Sequence, residues 1–128
     1  QIFKGVLDDQ AKGVFQGKVL VEPNAQKTDG HQLSRTLLLS RSAEMDCKPE
    51  LEIYADEVKC SHGATVGELE EEAIFYLRTR GIDPVDARDM LIEAFIADVT
   101  AEISHQTIRE AFDRVVHQWL SDGQEVLT

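Results

Sequence analysis

The feature that most constrains this fold is a change of hydrophobic period near residue 67. Before it, short apolar pulses recur with strand-like alternation: Val14 and Phe15, Val19-Leu20-Val21, Leu37-Leu38-Leu39, Leu51-Glu52-Ile53 and Val58-Lys59-Cys60. Gly5, Gly13, Gly17, Pro23-Asn24, Asp29-Gly30 and Lys48-Pro49 punctuate them as turns. The pulses are too close together for crossover helices. Residues 1–67 therefore read as stacked short strands, in either a β-solenoid or an antiparallel sandwich, and periodicity does not choose between the two.

From Thr65 onward the period is helical. Thr65-Val66-Gly67-Glu68 has the spacing of a capping box, which predicts a first helix over 69–80 stopped by Gly81, with Ile82 as the apolar contact of a Schellman motif. Asp83-Pro84 supplies an N-cap and a first-turn proline for a second helix. Thr107-Ile108-Arg109-Glu110 predicts a third, with the stripe Ile108, Ala111, Phe112, Val115, Val116, Trp119 and Leu120 and a stop at Gly123. The second helix is apolar on two sides. Ala87, Leu91, Ala94 and Phe95 form a stripe for its neighbours, whereas Ile92, Ile96, Val99 and Ile103 need a further burial surface, in the strand half or in another protein.

A formal net charge of -11, with basic residues scattered among acidic ones, argues against nucleic acid and against an anionic membrane surface. No apolar run approaches the ~20 residues that span a bilayer. Two cysteines, Cys47 and Cys60, and no secretory segment point to a reduced, soluble compartment. The chain lacks an initiator Met and Gln1 begins inside a structural pattern, so a fragment of a longer protein is expected.

For chemistry, Cys60 and His62 come first. Side chains two apart in a strand share a face, about 6.5–7 Å apart at Cα, so a thiolate and an imidazole there can reach one iron or cluster. Two ligands leave a site incomplete, which suits an interface or a transient scaffold. The competing reading is structural: with Val58 on the same face, Cys60 packs as a small hydrophobe and His62 is a hydrogen-bonded strand end. Cys47, Cys60 and His62 together could be offered as zinc ligands of a metal-dependent enzyme, but their spacing matches no common zinc pattern. His31 reads as a polar-loop residue without an evident partner, and His105 and His117 as surface residues on different helix faces. Glu44 and Asp46 read as solvated turn residues, and Glu68, Glu70, Glu71 and Glu72 as carboxylates at the positive end of a helix dipole. No phosphate-cradling Gly-rich loop with a Lys is present, so any nucleotide hydrolysis belongs to a partner.

The stretch from Lys48 to Gly67, KPELEIYADEVKCSHGATVG, closely resembles the SufB/SufD family. Phe75-Tyr76-Leu77-Arg78-Thr79-Arg80-Gly81-Ile82 continues the resemblance. Gly13 to Lys18, Lys27 to Gly30, Leu37 to Ser40 and Glu44 to Asp46 fit the same alignment. The resemblance is densest from about Ala43 to Ile82 and thins after Ile103. Gly63 and Gly67 point to the SufD branch, because SufB sequences typically carry an acidic residue after the His and lack the Gly-Ala-Thr-Val-Gly continuation. The resemblance implies the last rungs of a right-handed parallel β-helix over 1–67, then a small three-helix domain over 68–128. It implies a non-catalytic scaffold subunit for iron–sulfur cluster assembly, paired with SufB and docking the ABC-type ATPase SufC through the helices, with Ile92, Phe95, Ile96 and Val99 as the docking residues. It implies His62, with Cys60, at the SufB interface, holding iron or a nascent cluster transiently with no tightly bound cofactor. The compartment implied is the cytoplasm, or the plastid stroma in a plant or alga. A generic interaction module is the remaining rival, distinguished by having no preference for that ATPase.

Overall fold

The computed structural model describes residues 1–125; positions 126–128 of the helical region expected over 68–128 lie outside them. The elements are β1 (Ile2–Leu7), β2 (Lys12–Val21), β3 (Asp29–Leu38), β4 (Glu44–Ile53), β5 (Lys59–Glu68), α1 (Glu71–Arg78), α2 (Pro84–Thr100) and α3 (Gln106–Glu125). They divide into two compact units, Gln1–Glu68 and the chain from Leu69 onward.

In the first unit the odd strands form one sheet, ordered β1-β3-β5, and the even strands β2 and β4 form another. Every strand pairing is parallel, which excludes the antiparallel sandwich. Ile2 pairs with Leu33, Lys12 with Glu44 and Asp29 with Lys59, a nearly constant offset along the chain. The corners stack with the strands: Leu39 N–H donates to Leu7 O, Glu44 N–H to Ala11 O, and Tyr54 N–H to Val21 O.

Alternation sets what faces inward. Along β2, Gly13, Phe15, Gly17, Val19 and Val21 are half-buried or buried, while Lys12, Val14, Gln16, Lys18 and Leu20 are exposed. Phe15 stacks on Phe3 with ring centroids 4.7 Å apart, joining the two sheets. The inward side of β3 is polar: Gln32, Ser34 and Thr36 are all buried. Gly17 makes room for Gln32, since a Cβ there would lie 2.6 Å from both polar atoms of its amide. The outward face of the β2–β4 sheet carries ion pairs, Lys12–Glu44 and Lys48–Glu50 at 2.9 Å and Lys18–Glu52, with Tyr54 donating to Glu52. Solvent screens exposed pairs of this kind, so they add little to stability. Glu44 and Asp46 are thus strand residues on the outward side of β4, not turn residues.

In the second unit, the stop of α1 and the start of α2 match the sequence expectation. Gly81 has φ +84°, Ile82 N–H donates to Leu77 O and Gly81 N–H to Arg78 O, which is the Schellman pair of bonds. Asp83 caps α2 by accepting from Val85 N–H at 2.9 Å, with Pro84 in the first turn. Both expected capping boxes are absent. Thr65 and Glu68 lie in β5, because pairing with β3 continues to Leu38–Glu68 and the ladder takes the backbone groups a cap would have used. Helix α1 starts at Glu71 after Glu70, without a side-chain cap bond. Helix α3 starts at Gln106, one residue before Thr107, with Ile108 and Arg109 N–H donating to His105 O. It also runs through Gly123 to Glu125.

Gly81→Ala is expected to destabilise the helical unit by about 1–2 kcal/mol, because open space surrounds the site and the cost is that of a left-handed backbone alone. Asp83→Ala should cost about 1 kcal/mol; urea unfolding followed by circular dichroism reads both. The hydrogen bond from Tyr54 to Glu52, then the carboxylate's charge, raises the phenol above the ordinary tyrosine value of 10.0. The bond favours the protonated phenol in the folded state, so its contribution is present below the unfolded value and is lost as pH rises through the folded one. Ultraviolet titration should show one tyrosine ionising at lower pH in Glu52→Gln than in the unaltered protein.

Candidate functional site at the edge strand

Strand β5 is the edge of the odd sheet, and after Glu68 the chain turns to helix. By alternation Cys60 and His62 share the side occupied on β3 by their register partners Gly30 and Gln32, the inward side. Cys60 is half-buried: a Cβ built on Gly30 would lie 3.8 Å from its Sγ and 3.9 Å from a Val19 methyl. His62 is exposed. On β3 the same inward position holds a buried Gln32, so the exposure of His62 follows from its place at the end of the stack. A polarisable sulfur donor and an imidazole therefore lie on one side of the edge strand, the first half-buried and the second exposed.

Cys47 belongs to β4, half-buried, with its Sγ 3.8 Å from Ser34 Oγ. Among the described residues no three or more His, Cys, Asp or Glu side chains are grouped to hold a metal ion, so Cys47, Cys60 and His62 do not form a three-ligand set. His31 is a residue of β3, not of a loop, and has two partners, Asp29 and Ser61. His117 of α3 pairs with Glu93 of α2 at 2.8 Å.

The helical unit redistributes the expected apolar stripes. Ile92 is 1% exposed and belongs to the core with Ala87 and Leu120, so it presents nothing to a partner. Phe95, Ile96 and Val99 are half-buried, and Ala94, expected to pack on its neighbours, is exposed. On α3, Ile108, Phe112, Val115 and Trp119 are exposed at 48%, 52%, 66% and 42%. Helix α3 buries Leu120 and half-buries Val116, leaving the other side of its amphipathic stripe in solvent. Four apolar residues spaced i, i+4, i+7 and i+11 on one helix form a candidate contact surface. All four belong to the stripe visible in the sequence, whose spacing does not say which part of it is covered.

Against this geometry, a family model described as SUF system FeS cluster assembly, SufBD core domain, matches residues 1–95. The chain belongs to that family. The iron-sulfur cluster assembly protein SufD of Escherichia coli is 45% identical over 123 residues, covering 96% of this chain and 29% of that protein. An iron-sulfur cluster assembly SufBD family protein of Synechocystis is 50% identical over 103 residues, 80% of this chain and 23% of its own length. A chloroplastic protein of Arabidopsis thaliana is 44% identical over 105 residues, 82% of this chain and 22% of its own length. The chain thus spans under a third of the length of these relatives. Among its described residues no helix is long and apolar enough to cross a membrane.

Proposed function

We propose that this SufBD-family chain is the C-terminal part of a SufD-type scaffold subunit without intrinsic catalysis, which pairs with SufB and docks the ATPase SufC. The observation that carries the proposal is the open inward face of β5, where Cys60 and an exposed His62 stand at the end of a parallel stack. In this reading the five strands are the last rungs of a right-handed parallel β-helix, a geometry supported by the alternate-strand pairing at a nearly constant chain offset. The cluster is cargo, not a resident cofactor. A nascent cluster usually takes four protein ligands, so two donors here leave the remainder to SufB and keep the hold loose enough for release.

The helical unit would be the contact for the ATPase. The exposed stripe Ile108, Phe112, Val115 and Trp119 supports this assignment, with half-buried Phe95, Ile96 and Val99 of α2 as secondary candidates. Work of this kind belongs in the cytoplasm, or in the plastid stroma of a photosynthetic eukaryote.

His62→Ala in the full-length protein should lower cluster formation by about tenfold or more, as loss of a ligand-site group does, while the complex with SufB and SufC still assembles. Cluster yield read by visible absorption and assembly read by size exclusion separate the two effects. Unchanged yield would remove His62 from the site and leave an architectural role alone.

A further inference from the structure

On the outward face of the β3–β5 pair, three side chains form a line that the assembly role does not use. Asp29 opens β3, His31 lies two residues on, and Ser61 of β5 is the register partner of His31. An Asp29 carboxylate oxygen is 2.8 Å from His31 Nε2, and Ser61 Oγ is 2.6 Å from His31 Nδ1. A carboxylate can only accept, so the proton of the neutral ring sits on Nε2 and Nδ1 is left as the acceptor for the Ser61 hydroxyl. This is the hydroxyl–imidazole–carboxylate relay that activates a serine, with the two ring nitrogens in exchanged roles. Paired strands lie about 4.8 Å apart, so two ladder neighbours and one same-face neighbour are held in place without help from a loop. The His31 and Asp29 side chains are 64% and 66% exposed, which admits a small solute directly.

We propose that Ser61 is an acyl-acceptor nucleophile that takes an acyl group from a small activated ester. Ser61 Oγ bonds to the ester carbonyl carbon and its proton passes to His31 Nδ1, while Asp29 stabilises the imidazolium through Nε2–H. The carbonyl–oxygen bond to the leaving group breaks, and the leaving oxygen departs with the proton returned by His31. The products are an O-acyl serine and an alcohol, and nothing is oxidised or reduced. The inference stands independently of the scaffold role.

The test is incubation with p-nitrophenyl acetate, reading nitrophenolate release by absorbance and the modified residue by peptide mass spectrometry. The expected result is one acetyl group on Ser61, with release slowed on the order of a hundredfold in His31→Gln, as when a general base is removed. Asp29→Asn should give an intermediate loss and Ser61→Ala should abolish the burst. Circular dichroism of each variant verifies that the strands are intact. Acetyl groups on lysines alone, or Ser61 acetylation at an unchanged rate in His31→Gln, would overturn the proposal.

Discussion

Each strand of the first unit finds its hydrogen-bonding partner at nearly the same distance along the chain, running in the same direction. That one repeat length governs the rest of the unit. It sends successive strands alternately to two sheets, and it stacks corner on corner. It also brings like positions of successive turns into ladders, such as Lys12 with Glu44 on the outside, and sets Phe3 against Phe15 across the interior. A parallel ladder needs long connections between paired strands. Here the connection is the strand of the other sheet together with its two corners, so no helix is required.

The strands of a stack of this kind lack neighbours at its ends, where backbone and inward side chains have no further turn to meet. Strand β5 occupies such an end. Gln32 and His62 are register partners on the same side, yet one is buried and the other exposed. In the proposed role, the imidazole and the half-buried thiol on this side would grip cargo shared with a second protein. On the opposite face of the same strand, Ser61 meets His31, which in turn pairs with Asp29. The alternation of side chains keeps the two chemistries apart although their residues are adjacent in sequence.

Much of this was legible in the sequence, and the misses have physical reasons. The switch of period separates strands from helices, and Gly81, Asp83 and Pro84 mark the helix junction because each has one dominant backbone use. The Thr65–Glu68 capping box fails because local propensity loses to ladder pairing with β3, a contact between distant parts of the chain that leaves no local trace. Strand direction is invisible, since alternation is the same in parallel and antiparallel sheets. The partners of His31 escape notice for a related reason: a register, not a motif, sets Ser61 beside it. On the helices, apolar spacing gives the stripes but not their partners. Ile92, a docking residue by the family resemblance, lies in the core, whereas Phe112 and Trp119 lie in solvent.

Whether the helical unit of this SufBD-family chain grips the SUF ATPase is tested most directly by isothermal titration calorimetry of the folded chain against purified SufC, with Phe112→Asp and Trp119→Asp as surface variants. The expected result is micromolar or tighter binding, about -8 kcal/mol or stronger, weakened tenfold or more by either substitution while the helical circular dichroism is unchanged. No heat of binding from a demonstrably folded chain would contradict that role, as would binding indifferent to both substitutions.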